Sequence, residues 1–220
     1  MPSPFDQSPY QVRLEWGAEG LARLAPAEVV IAVDVLRFST TVTQLVEAGT
    51  EVALDGARSW SSNGADVAEA AASTGAEVLL GGIRNASSVA SAVMALQERR
   101  GDRTSVAVIA AGERATDGSL RFAVEDLLGA GALVCALIDL GIDHTSPEAV
   151  AAAESFRALR RGVRHLLSAS GSGRELAIGV ASTARMADAG IRPATPEEAS
   201  EHDASSAVPQ LRGGVFTAFA

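Results

Sequence analysis

The sequence predicts an α/β fold of three layers, α/β/α, with helices on both faces of a largely parallel or mixed sheet. Three observations carry that expectation. Short apolar runs at Val29–Val33 and around Ser105–Ala111 suit strands buried on both faces. Each is followed by a polar loop and then by apolar residues at helical spacing, the alternation of a parallel sheet with crossover helices. Apolar residues make up 47% of the chain but aromatics only 4%. The core must therefore be Ala, Val, Leu and Ile, which favours helices close on a sheet over an aromatic-rich sandwich. At 220 residues the chain suits one domain, 1–220, or two packed halves, about 10–100 and 101–220.

In chain order, the Pro/Ser-rich start gives way to alternating Val12, Leu14 and Trp16, read as a half-exposed edge strand over Tyr10–Trp16. Gly17–Leu24 reads as a short helix stopped before Pro26. The buried strand Val29–Val33 leads into the Val42, Leu45, Val46 helical face, with Gly49 as its stop. Glu51–Leu54 is a short strand, and Asp55–Gly64 shows no periodicity. Ala65–Ser73 is helical, Glu77–Leu80 a strand, and Val89, Val93, Met94 and Leu96 mark a helix running to Arg99. Ser105–Ala111 is the next buried strand. Phe122–Leu140 is a long helix in which Gly129 and Gly131 allow close backbone packing. Pro147–Ala158 is helical, Ser168–Gly173 reads as a turn, Met186–Pro193 and Pro196–Ser200 as short polar segments, and Gln210–Ala220 closes the chain with an edge strand.

The chemistry-bearing residues gather where strands hand over to helices. Asp34 stands at the exit of Val29–Val33, followed by Arg37, Ser39, Thr40 and Thr41. The same strand–polar loop–helix unit recurs near Arg84 and Asn85 and near Glu113 and Arg114. In open α/β sheets ligands bind at the carboxyl ends of strands, and helix N-termini favour anions. All three loops would open toward one edge and form one composite site for an anionic small molecule. Asp34, Glu113, Asp117, Glu125 and Asp126 are hard-oxygen ligands of the kind that suits Mg²⁺, and Arg37, Arg84 and Arg114 suit phosphate oxygens. Ordinary roles compete: Ser and Thr as N-caps, Asp as a turn residue, and Glu125 and Asp126 as favourable first-turn charges.

Composition limits the partners. The formal charge of −9 argues against a nucleic-acid surface and a polybasic membrane anchor. There is no Lys, so every fixed cation is an Arg. A single cysteine, Cys135, in an apolar run excludes a disulfide framework and a cysteine zinc site, and fits a reducing cytoplasm. No signal-peptide pattern opens the chain, and no apolar run reaches the ~20 residues of a membrane helix. The expectation is a soluble cytoplasmic protein, compatible with a homodimer through its Ala-rich helices. Several mechanisms for handling phosphate fail on spacing. Cys135 has Gly at position 141 where an Arg is needed, and the residue two after Asp34 is Leu36, which breaks Asp-x-Asp. No Walker A loop is present.

Asp34-Val35-Leu36-Arg37-Phe38-Ser39-Thr40-Thr41 resembles the hallmark of the 2-phosphosulfolactate phosphatases of coenzyme M biosynthesis. The likeness continues through Ser62-Asn63-Gly64, Arg84-Asn85-Ala86-Ser87-Ser88-Val89-Ala90 and Ala111-Gly112-Glu113-Arg114. It goes on through Asp117–Asp126, Gly129-Ala130-Gly131, Ser172–Leu176 and Ala207-Val208-Pro209. The resemblance implies an α/β/α fold and Mg²⁺-dependent hydrolysis of a small phosphorylated hydroxy acid, 2-phosphosulfolactate or a close analogue. Carried onto this chain, it gives Asp34, Arg37, Glu125 and Asp126 as catalytic, with Asp34, Glu125 and Asp126 also holding the metal. Ser39, Thr40, Thr41, Asn63, Gly64, Arg84, Asn85, Glu113 and Arg114 would bind substrate. One departure stands out: the segment before Asn63-Gly64, Asp55–Ser61, is shorter than in the family. An anion-binding homologue without catalysis is the alternative that this shortening motivates.

Overall fold

Alternation along single strands shows how the layers form. In the computed structural model, which describes residues 3–220, strand β2 (Val29–Val33) is buried along its whole length. Val29, Ile31 and Val33 join one apolar cluster, whereas Val30 and Ala32 join another. Successive side chains leave a strand on opposite faces, so two clusters mean two helical layers. One cluster is built with α5 (Ala86–Arg100), α6 (Val124–Asp139), α7 (Pro147–Leu159) and α8 (Val163–Ala169). The other is built with α2 (Phe38–Glu47), α3 (Leu54–Arg58), α4 (Ser62–Ser73) and the buried Trp60. The three-layer α/β/α architecture follows.

The sheet has seven strands in the order β1-β5-β2-β4-β8-β9-β3. Strands β1 (Val12–Trp16), β5 (Val106–Ala110), β2 and β4 (Glu77–Leu80) are parallel. Strands β8 (Pro209–Arg212), β9 (Val215–Ala218) and β3 (Val52–Ala53) extend it antiparallel. Because β5 lies between β1 and β2, residues from both halves of the chain share one continuous sheet. A separate hairpin, β6 (Glu113–Arg114) with β7 (Leu120–Arg121), follows β5. Among the described residues no helix is long and apolar enough to cross a membrane.

Close packing explains the two helical glycines. A Cβ on Gly131 would stand 2.2 Å from the Ala152 carbonyl oxygen of α7, and one on Gly129 would stand 2.4 Å from Val35 Cγ2. Small residues there let α6 lie against both neighbours.

Several local readings need correction. β1 is an edge strand, but Val12, Arg13 and Leu14 are buried rather than half-exposed. Helix α7 packs on β1, and the Arg13 guanidinium is held by the carbonyls of Tyr10, Ala25 and Pro26. The aperiodic stretch Asp55–Gly64 is largely helical, holding most of α3 and the first turn of α4. Gly171–Gly173 is the first turn of a helix, α9 (Gly171–Ile178), where Ser170 Oγ accepts from the Gly173 amide at 3.1 Å. Met186–Asp188 ends a helix, α10 (Ala181–Asp188), that starts ahead of the expected polar segment, and α11 (Pro196–Ala199) follows. The terminal segment is no edge: β8 and β9 pair inside the sheet, and β3 takes the edge.

Candidate active site

The chain reverses its direction of travel across the sheet between β2 and β5. After β2 it passes to α2 on one face, and after the neighbouring β5 it passes to α6 on the other. The loops diverge and leave a crevice at the carboxyl ends of the strands, the switch point where α/β sheets bind ligands. Asp34 flanks the crevice on the β2 side and Glu113 on the β5 side. A cavity of about 300 Å³ opens there, lined by Asp34, Arg37, Arg58, Ser61, Asn63, Glu113, Glu175, Ser182 and Arg185 among others.

Asp34 is 6% exposed. Its Oδ2 accepts from the Gly64 amide at 3.0 Å and the Ser61 hydroxyl at 3.2 Å, and its Oδ1 from the Phe38 amide at 3.3 Å. Burial pushes the carboxyl up to about 6, against the opposing pull of the Phe38 amide and the Arg37 guanidinium. Gly64 is required by this closeness, since a Cβ there would sit 2.7 Å from Asp34 Oδ2. Arg37 is 8% exposed. It donates to the Ser182 hydroxyl, while its Nε is buried with no partner among the described residues. Arg37 lines the cavity with a guanidinium whose hydrogen-bonding capacity is not filled by the protein, the kind of group that takes an anion oxygen.

On the far side, Glu113 Oε1 accepts from Asn63 Nδ2 at 2.9 Å and from the Arg114 amide at 2.8 Å. Glu113 and Glu175 also line a second cavity of about 240 Å³, together with Arg121, Glu125 and Ser172, so the two spaces share a wall. Glu125 is thus beside the crevice rather than across from Asp34. Asp126 is 3% exposed and stands behind the loops. Its two oxygens accept from the Val35 amide at 2.8 Å and the Gly112 amide at 2.9 Å. Burial, then the charges of Asp34 and Glu125, push its carboxyl well above the usual carboxylate range.

The structure therefore brings together Asp34, Arg37, Asn63 and Glu113, with Gly64 against Asp34. It turns the expected hydroxyl cradle inward. Ser39 Oγ donates to the Asp34 carbonyl at 2.7 Å, Thr40 Oγ1 to the Val35 carbonyl at 2.8 Å, and Thr41 Oγ1 accepts from the Ala194 amide at 3.1 Å. These hydroxyls are buried and shape the loop. Asn85 is also structural: its Oδ1 accepts from the Gly82 amide at 3.0 Å and its Nδ2 donates to the Ala207 carbonyl at 3.0 Å. Arg84 is drawn to Glu201 and the Glu198 carbonyl, and Arg114 pairs with Asp66 at 2.9 Å. Nor do Asp34, Glu125 and Asp126 form a metal trio. Among the described residues no three His, Cys, Asp or Glu side chains are arranged to hold a metal. Asp34 and Glu113 fit a different donor set, two hard carboxylates on one roomy cavity, which matches the habit of Mg²⁺ to keep waters and take substrate oxygens.

Five wall residues escaped the sequence reading: Arg58, Ser61, Glu175, Ser182 and Arg185. Arg58 and Ser61 lie in the stretch read as aperiodic, and Glu175, Ser182 and Arg185 lie between the Ser168–Gly173 turn and Met186–Pro193, where no element is expected; Glu175 enters only within the Ser172–Leu176 likeness. The serine cap before Gly171-Ser172-Gly173 was the one available signal that Glu175 sits on a helix.

Fold and crevice define a three-layer α/β protein that presents carboxylates and arginines together at the carboxyl ends of its parallel strands. The chain belongs to the 2-phosphosulpholactate phosphatase family, whose model matches residues 59–213, well over half of its length. The matched residues include Asn63, Glu113 and Glu175, while Asp34 and Arg37 precede them. No curated protein matches the chain.

Proposed function

We propose that the protein is a Mg²⁺-dependent phosphoric monoester hydrolase acting on a small phosphorylated hydroxy acid, 2-phosphosulfolactate or a close analogue. The observation that supports this most is the buried Arg37, its Nε without a partner, on the same cavity as the carboxylate of Asp34. Arg37 binds a phosphate oxygen, and Arg58 and Arg185 add positive charge at the cavity wall. Asp34, whose carboxyl burial lifts to about 6, gains most from a divalent cation beside it, which holds it ionised. Glu113, oriented by Asn63, faces Asp34 from the other loop. A Mg²⁺ ion held by Asp34 and Glu113 would neutralise phosphate charge and polarise the reacting oxygens.

The test is phosphate release from 2-phosphosulfolactate, 2-phospholactate and related phosphorylated hydroxy acids, with Mg²⁺ and after chelation. Release that needs Mg²⁺ and vanishes in Asp34→Asn supports the reading. Saturable binding of these compounds with no phosphate released would instead make the protein an anion-binding member of its family.

A further inference from the structure

We propose that Asp126 is a positioning residue that fastens the loop after β2 to the loop after β5 and so sets the separation of Asp34 and Arg37 from Glu113. The backbone ladder between these strands ends where the Ala111 amide donates to the Val33 carbonyl at 2.8 Å. Beyond that point the chains part, one toward α2 and the other toward α6, and the reacting groups lie on the parted segments. Val35 directly follows Asp34, and Gly112 directly precedes Glu113. The amides of these two residues are the ones that Asp126 accepts, one on each oxygen, at 2.8 and 2.9 Å. Its carboxylate continues the ladder past its last rung.

Burying a carboxylate is costly unless its oxygens are satisfied; here each oxygen has a backbone donor, and two N–H groups aimed at the two oxygens favour the ionised form against burial and the neighbouring acids. The reach depends on α6 lying tight on the loop, which Gly129 allows through its contact with Val35. Few side chains offer two acceptors in this span. Asparagine presents an NH₂ group to one of the two amides and releases one loop. Glutamate keeps both acceptors with one more methylene.

The functional half of this inference rests on the hydrolase reading, but its structural half is measured without turnover. Amide hydrogen exchange on the full-length protein should place Val35 and Gly112 in the slow class with the β2 and β5 core. In Asp126→Asn one of the two should become fast. The kcat for 2-phosphosulfolactate should fall about 100-fold, the scale of a small misplacement of reacting groups, and by more than KM rises. Asp126→Glu should recover part of the loss. Leu137→Ala, on the same helix and fully buried, is the control for destabilisation alone and should leave kcat near wild type. Fast exchange at either amide in the wild type overturns the proposal, even if Asp126→Asn does not fold. So does a folded Asp126→Asn with both amides still protected, or with kcat no lower than Leu137→Ala. If no compound is hydrolysed by the wild type, the hydrolase reading fails, and the exchange data decide the fastening role alone.

Discussion

Asn63 Nδ2 donates to Glu113 Oε1 at 2.9 Å, tying the first turn of α4 to the hairpin that follows β5. The next residue, Gly64, gives its amide to Asp34 at 3.0 Å. Two consecutive residues thus address the carboxylates on opposite sides of the crevice. Asn63→Ala should leave Glu113 with only the Arg114 amide and lower kcat/KM about tenfold, the scale of one hydrogen bond to a charged group. Steady-state rates of phosphate release check this, and an unchanged kcat/KM would remove Asn63 from the site.

Asp34 should write itself into the pH dependence of stability. Its folded value of about 6 exceeds the unfolded 3.8, so the native state holds this proton more tightly. Its contribution is full below about pH 4, is lost as pH rises through about 6, and stays lost above that. Two units correspond to about 3 kcal/mol. Urea melts from pH 4 to 7 should show wild type losing about that much relative to Asp34→Asn, which cannot titrate there. Parallel curves for the two proteins would contradict the assignment.

Arg37 should govern affinity for anions. Removing a charge-assisted contact costs about 1.5–3 kcal/mol, so Arg37→Ala should weaken inorganic phosphate about 10- to 100-fold. Arg37→Lys should not restore it, because an ammonium lacks the planar fork that binds two oxygens at once. Calorimetric titration with phosphate reads both variants, and wild-type affinity in Arg37→Lys would count against a guanidinium-specific contact.

Gly64→Ala tests the tightness of the Asp34 pocket. The added methyl would meet Phe38 Cδ1 at 2.6 Å as well as Asp34 Oδ2 at 2.7 Å. Overpacking of this kind costs about 1–3 kcal/mol. Here it should also displace the carboxylate, so activity should fall further than stability does. Equilibrium unfolding paired with turnover separates the two, and a variant with normal stability and rate would show that the pocket yields freely.

The layers were legible because burial leaves a compositional mark. Val29–Val33 has no polar face to hide, and Gly129 with Gly131 announces close helix contact. Asp34 was legible because a carboxylate interrupts an apolar strand at its exit. The hydroxyls of Ser39, Thr40 and Thr41 misled for a physical reason: a hydroxyl that caps backbone and one that cradles phosphate are the same residue type at the same helix start. Asn85 and Asp126 misled likewise, since nothing in a sequence shows where a side chain spends its hydrogen bonds. The wall of Arg58, Ser182 and Arg185 was invisible because short helices there carry little periodicity and meet the crevice only through tertiary folding.

The strand order has a consequence for synthesis. Strands β8 and β9 stand between β4 and β3, so the sheet cannot be completed until residues near 218 have been made. A nascent polypeptide that stops short of Pro209 would leave the flank of Val78 and Leu79 unzipped, an open template for a stranger's backbone. Productive folding of this chain therefore requires residues 209–218, and a polypeptide lacking them should yield aggregates rather than a trimmed, working protein.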